Sequence, residues 1–297
     1  MGVFEKGECE KMEHAMIVFE NVSKKLGSFT LKDITFTLPK GYIMGVIGPN
    51  GAGKTSLLHL LLGLYKPMEG TIQVDDKEYA LEEAEILNEI GVVLLDELYD
   101  GSMTLLQNGK EYGRFYRNYN EVLFREYLAR FGLEEQRKYK KLSAGEKMKF
   151  QFAFALSHNA KLLVLDEPTG NFDPGFRKEF FQILREFIAD SSRSVVLSSH
   201  LTEDLDRIAD YILYLEKGEV VFAGDIEKLR ERYRLLTGEN YKIKLVHKEQ
   251  VIHVEEGAYS TRALVKHWPG YEYDSALTVK VPTLEELMYF MTKRRSK

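Results

Sequence analysis

The chain has 297 residues, of which 44% are hydrophobic and 29% charged, a balance that excludes a disordered or fibrous polymer and leaves room for one large domain with an appendage. Its formal net charge of -5 gives no electrostatic reason to expect nucleic acid as a partner. A lone cysteine, Cys9, cannot close an intramolecular disulfide and fits a reducing compartment.

Residues 1–15 carry little hydrophobic patterning and read as an extension, so the main domain is expected at 16–224. No apolar run reaches the ~18–20 residues that span a bilayer as a helix. Lys6 stands where a myristoylation signal requires Ser or Thr. Short strands are expected at Met16–Glu20, Ile34–Leu38 and Ile43–Ile47. Directly after the third comes Gly48-Pro49-Asn50-Gly51-Ala52-Gly53-Lys54-Thr55-Ser56, followed by a helical run over Ser56–Leu62. This is a P-loop in its strand–loop–helix setting. Its glycines let successive backbone N–H groups turn around a phosphate, the helix start adds positive potential, Lys54 reaches the β- and γ-phosphates, and Thr55 offers a hydroxyl to Mg²⁺.

A strand at Ile90–Leu95 is followed by a stretch, Glu97 to Lys141, in which strands stop and aromatic and aliphatic residues recur at helical spacing, as in Val122–Phe131. A helical insert of about 97–157 is expected there. It contains Ser143-Ala144-Gly145-Glu146, which reads as a capping box opening a helix. The apolar strand Leu162–Leu165 then ends in Asp166-Glu167-Pro168. Beside a P-loop, this pair suits phosphoryl transfer: Asp166 in the shell of Mg²⁺, Glu167 orienting or deprotonating the attacking water. Asn171-Phe172-Asp173-Pro174 reads locally as a helix N-cap with proline at the first helical position. Strands at Val195–Ser198 and Tyr211–Leu215 complete an alternation of strands and helices, the mark of an α/β fold with a mainly parallel sheet. His200 closes the first of these.

After Gly224 the pattern changes to strands at Tyr241–Val246, Val251–Glu255 and Leu277–Val281 and a helix opening at Thr283, capped by Glu286. Residues 225–297 are therefore expected to form a small α+β accessory unit.

Leu142-Ser143-Ala144-Gly145-Glu146, upstream of Asp166, resembles the Leu-Ser-Gly-Gly-Gln signature of the ABC ATPases, with Ala144 and Glu146 as departures. Other family elements follow in order: Asp173 in the loop through which two subunits communicate, and Ser198-Ser199-His200 as the switch histidine. Over roughly Met16 to Gly224 the chain looks like an ABC transporter ATP-binding subunit, closest to exporters of the bacitracin-resistance and antibiotic-efflux sort. The resemblance implies a RecA-like P-loop core with an antiparallel β subdomain and the helical insert. It further implies an ATPase using ATP and Mg²⁺ and working as a dimer with a second copy or a related chain. Ser143 and Gly145 would face a phosphate bound by the partner subunit, and membrane-spanning permease subunits would hold the pair peripherally on the cytoplasmic face of the membrane. The family's Gln after the strand Ile90–Leu95 is replaced by Asp96, read as a water-mediated Mg²⁺ contact or a solvated turn acid. The adenine-stacking aromatic is replaced by Leu26, leaving Phe29 to serve. Tyr99, Phe115, Tyr116 and Tyr119 either line the surface that receives a permease helix or pack the insert's own core. The competing reading is a soluble ABC ATPase acting on the ribosome or nucleic acid, against which stand the single ATPase unit and the lack of a long coiled-coil insert or basic stripe.

Overall fold

The computed structural model describes residues 15–96 and 98–295, so Cys9 and the expected extension, except Ala15, lie outside it. In chain order the first elements are β1 (Ala15–Leu26), β2 (Phe29–Pro39), β3 (Ile43–Ile47), α1 (Lys54–Leu61), β4 (Glu69–Val74), β5 (Lys77–Glu78), α2 (Tyr79–Asn88) and β6 (Ile90–Val93). There follow α3 (Leu105–Gly113), α4 (Glu121–Arg130), α5 (Ala144–Leu156), β7 (Leu162–Asp166), α6 (Pro174–Phe187) and β8 (Ser194–Ser198). The remainder is α7 (Thr202–Ile208), β9 (Tyr211–Glu216), β10 (Glu219–Asp225), α8 (Ile226–Glu231), β11 (Tyr233–Gly238), α9 (Asn240–Ile243), β12 (Val251–Glu256), β13 (Thr261–Lys266), β14 (Thr278–Lys280) and α10 (Leu284–Arg295). The chain divides into two compact units, one running to His200 and including Tyr211–Ala223, the other made of Leu201–Asp210 and the residues from Gly224 onward.

In the first unit every residue of β3, β7 and β8 is buried, as strands covered on both faces must be, and their apolar side chains supply that cover. These strands belong to a six-stranded sheet of order β10-β9-β3-β8-β7-β6. The pairs β3–β8, β3–β9, β7–β8 and β6–β7 are all parallel. Because β3, β8 and β7 are adjacent and run the same way, the segments after their carboxyl ends, the P-loop, His200 and Glu167, are delivered to one edge of the sheet. Ligands of open α/β sheets bind at such an edge. A second, antiparallel sheet has the order β2-β1-β4-β5. Phe19 of β1 faces Phe36 of β2 in register, their rings stacked at 4.7 Å. Leu57, Leu58, Leu60 and Leu61 of α1 join Val46, Val164 and Leu213 of the parallel sheet in one buried core.

Helices α3, α4 and α5 form the insert around an aromatic cluster. The Tyr99 ring lies 4.9 Å from Tyr112 and 4.8 Å from Phe150, while Tyr116 and Tyr119 lie 5.5 and 5.6 Å from Phe154. Tyr99, Tyr116 and Tyr119 thus pack the insert's core, and burial holds the Tyr99 phenol well above its ordinary pKa. Phe115, by contrast, is largely exposed, at 75%.

The second unit holds an antiparallel sheet of order β12-β13-β11-β14. The strand expected at Tyr241–Val246 is instead the helical turn α9 and the turn after it. Ile243 and Val246 are buried while Tyr241 and Leu245 are exposed, so the apolar spacing that matters is three, not two. The central strands β11 and β13, which pair antiparallel with Leu236 opposite Ala263, lie where no strand was expected. The cap of α10 forms as its sequence suggests, Thr283 N donating to Glu286 Oε2 at 3.1 Å and Glu286 N to Thr283 Oγ1 at 3.2 Å. Leu201–Asp210 joins this unit through α7, where Asp206 pairs with Arg230 at 3.0 Å and accepts from Leu284 N at 3.3 Å.

Candidate active site

The loop after β3 is held at both ends by backbone bonds. Ala52 N donates to Pro49 O at 3.1 Å, Gly218 N donates to Ala52 O at 3.0 Å, and Leu57 N closes the first turn of α1 onto Gly53 O at 2.8 Å. Gly53 has φ +109°, and a Cβ there would lie 2.9 Å from Phe29 Cζ; only glycine fits both the backbone angle and the space. Phe29 thereby stands against the start of α1. Pro49, Asn50, Gly51 and Thr55 are exposed, whereas Gly48, Ala52 and Lys54 are buried, and Gly53 and Ser56 are intermediate.

Lys54 is 8% exposed, and its Nζ donates to Gly48 O at 3.0 Å and lies 4.0 Å from Glu167 Oε1. The ammonium is thus folded into the concave side of its own loop, a fixed positive charge suited to phosphate. Thr55 Oγ1 donates to Asp166 Oδ2 at 2.9 Å, so the two residues proposed for a metal shell are brought together. Among the described residues no group of three or more His, Cys, Asp or Glu side chains is placed to hold a metal ion. A cation here would draw its other ligands from phosphate and water oxygens, the donor set and partial hydration that suit Mg²⁺.

Glu167 sits in the left-handed region, φ 49° and ψ 41°, a conformation unusual for a residue with a side chain and common at working sites. It turns the carboxylate toward His200, whose backbone N–H donates to Glu167 Oε2 at 3.1 Å and whose Nδ1 makes a short contact with the same oxygen. Ser198, at the end of β8, ties the two carboxylates together: its Oγ donates to Asp166 Oδ1 and accepts from Glu167 N, the latter at 3.0 Å. Sequence reading gave Ser198 no part. Its signal is a hydroxyl at the end of an apolar strand, which acquires meaning only once β8 is known to lie beside β7.

Ser143, Gly145 and Asp173 form a second group. Ser143 N donates to Glu146 Oε2 at 2.8 Å and Glu146 N to Ser143 Oγ at 3.2 Å, so the capping box is complete at the start of α5. The Ser143 N–H, with the Arg137 guanidinium, holds the Glu146 carboxyl below its usual range. A Cβ on Gly145 would lie 2.4 Å from Asn171 O, so the absence of a side chain lets α5 approach the Asp173 loop. Asp173 caps α6 by accepting from Phe176 N at 2.9 Å and pairs with Lys149 of α5 at 3.2 Å; these two contacts, in that order, lower its carboxyl pKa. Asp96 is exposed on the loop after β6 and does not enter the bonded group of Lys54, Thr55, Asp166, Glu167, Ser198 and His200.

The ABC transporter family profile matches residues 31–170. The chain is 33% identical over 214 residues to the ABC transporter ATP-binding protein NatA of Bacillus subtilis (strain 168), covering 69% of this chain and 85% of that protein. It is 32% identical to a Nod factor export ATP-binding protein I of Burkholderia lata, over 72% of each chain. With the linearmycin resistance ATP-binding protein LnrL of Bacillus subtilis it shares 31% identity over 70% of this chain and 69% of the other. Among solved structures, the ATP-binding cassette MJ0796, a dimer in a post-hydrolysis state bound to ADP and Pi, matches 71% of this chain and 99% of its own at a TM-score of 0.64 and 26% identity. The P-loop after β3 and the paired carboxylates ending β7 flank the intervening strand β8, and by the matches above the chain belongs to the ATP-binding proteins of the ABC transporter family.

Proposed function

We propose that this chain is the ATP-hydrolysing motor of an exporter, working as a pair of copies, or with a related chain, that encloses two ATP and drives separate membrane-spanning subunits from the cytoplasmic face. The observation that carries the reading is the convergence of Lys54, Thr55, Asp166, Glu167 and His200 at one edge of the parallel sheet. Phosphoryl transfer requires positioning and charge more than covalent chemistry, and this group of residues is suited to supply both. The P-loop N–H groups and Lys54 bind the β- and γ-phosphates. Glu167 takes a proton from the attacking water as its oxygen adds to the γ-phosphorus and the bond to the β–γ bridging oxygen breaks, releasing ADP and phosphate. His200, against Glu167 Oε2, keeps that carboxylate aimed and contacts the γ-phosphate. Thr55 and Asp166 would hold Mg²⁺, which when bound neutralises charge on the phosphates. Phe29, which lies beside Gly53, would stack on the base in place of Leu26, and Asp96 would offer a water-mediated contact to the metal.

Pairing is supported by the second group. The capped start of α5 at Ser143 leaves a helix N-terminus turned outward, suited to a phosphate held by another chain, with Asp173 packed next to it. Export is supported by the names of the Nod factor and linearmycin resistance relatives. No helix among the described residues is long and apolar enough to cross a membrane.

The test is isolation of the tagged full chain from detergent-solubilised membranes of its own host, followed by mass spectrometry. A stoichiometric multi-spanning polypeptide is the expected result. Recovery of ribosomes or nucleic acid instead would overturn the transporter reading and favour a soluble ABC ATPase.

A further inference from the structure

Helix α5 begins at Ser143, and its inner face runs antiparallel along β6. Gln151, 2% exposed, meets the strand's exit residue with both halves of its amide: Leu94 N donates to Gln151 Oε1 at 2.8 Å, and Gln151 Nε2 donates to Leu94 O at 3.0 Å. Just past the other end of the helix, His158, 1% exposed, contacts Phe154 O at 3.0 Å through Nδ1 and Ile90 O at 3.1 Å through Nε2. Between them a Cβ on Gly91 would lie 2.9 Å from Ala155 Cβ, so helix and strand touch backbone to backbone. Seven residues of helical rise, roughly 10 Å, are thereby matched to four residues of strand, roughly 13 Å. A two-way amide bond in an apolar interface is a specific fastening, because removing one partner leaves a buried peptide group unsatisfied.

Leu94 is the last buried residue before the exposed Leu95 and Asp96. The residue that opens the loop carrying Asp96 is therefore gripped by the helix whose first turn is the signature segment. We propose that Gln151 is a positioning residue that makes the signature helix and the Asp96 loop move as one body, so that engagement of Ser143 by a second copy's nucleotide displaces the loop. The inference rests on the paired arrangement proposed above. Asp96, the departure from the family's Gln, then need not reach the metal for its loop to respond to ATP.

The experiment uses the full chain with Cys9→Ser and Leu95→Cys, labelled at the introduced thiol with an environment-sensitive fluorophore, in a Glu167→Gln background that retains bound ATP. Light scattering reports pairing and emission reports the loop. With Gln151 present, ATP is expected to give both a dimer and an emission shift. With Gln151→Leu the dimer should persist and the shift be lost. An equal shift in both chains would overturn the inference while leaving the pairing intact, and absence of a dimer with Gln151 present would overturn the pairing itself.

Gln151→Glu guards against a folding defect in the leucine variant. Its neutral carboxyl offers Leu94 the same donor and acceptor, while the ionised form lacks the donor and repels the carbonyl. The shift should be kept at low pH and disappear as pH rises, measured as a ratio to the parent chain so that titration of His158 cancels. A ratio independent of pH would sink the proposal.

Discussion

One carboxylate oxygen of Glu167 is shared by the backbone N–H of His200, at 3.1 Å, and that residue's Nδ1, while the other oxygen lies 4.0 Å from Lys54 Nζ. The base proposed here is thus held between the ammonium of Lys54 and an imidazole that fixes its direction. Glu167→Gln keeps the shape and removes the basicity. ATP binding should be retained, hydrolysis should fall roughly a hundred- to ten-thousand-fold, and an ATP-dependent dimer should accumulate. Phosphate release and light scattering check both halves, and unchanged turnover removes Glu167 from the catalytic role.

Lys54→Ala deletes the buried ammonium from the phosphate loop and leaves the Gly48 carbonyl without that donor. Loss of a charged hydrogen bond of about 1.5–3 kcal/mol corresponds to an affinity loss of roughly ten- to a hundredfold or more. Calorimetric titration with ATP reads it directly, and a normal affinity contradicts the assignment of the loop.

What was legible in the sequence is what the chain encodes locally. Gly48–Ser56, Leu162–Glu167 and the caps at Ser143, Asp173 and Thr283 each lie within a few consecutive residues, and each forms in the structure as its spacing suggests. What stayed hidden depends on neighbours distant in sequence. Ser198 matters because β8 lies beside β7, placing its hydroxyl against Asp166 and Glu167 N. Gln151 matters because α5 lies on β6. Tyr241–Val246 alternates like a strand, yet tertiary burial selects Ile243 and Val246 at helical spacing.

Ser198→Ala should separate positioning from binding. The change leaves the buried Asp166 Oδ1 without its hydroxyl donor, for a destabilisation of about 1–3 kcal/mol, while Glu167 N keeps only its bond to Ser198 O at 3.2 Å. ATP affinity, set by Lys54 and the loop, should be nearly unchanged while kcat falls about tenfold or more as Glu167 loses its aim. Ser198→Thr, which retains the hydroxyl, should recover most of the rate. Equal kinetics for the alanine and wild-type chains would show that Ser198 is structural only.

Asp75, after β4, pairs with Lys40 at 2.5 Å and with Lys161 at 2.7 Å, joining the antiparallel sheet to the segment that enters β7. Burial alone pushes its carboxyl up, but the hydrogen bonds and charges of Lys161 and Lys40 outweigh this and bring it below its ordinary value. Hydrogen bonds to Asp75 in turn raise both lysines above theirs. Asp75 is 13% exposed but Lys161 is 42% exposed, so solvent screens part of the attraction and the net contribution is about 1–2 kcal/mol. A carboxylate with a depressed folded pKa stabilises fully above its unfolded value and loses that contribution as pH falls through the folded value. The raised lysines add stability that is complete below their unfolded value and fades as pH rises through their folded values. Asp75→Asn should therefore destabilise the chain most between roughly pH 5 and 10, and the gap to wild type should close in acid below the ordinary carboxyl range and narrow again in strong alkali. Urea unfolding of both chains across that range tests it, and a stability difference that does not vary with pH would mean that the Asp75 pairing stabilises by packing, not by charge.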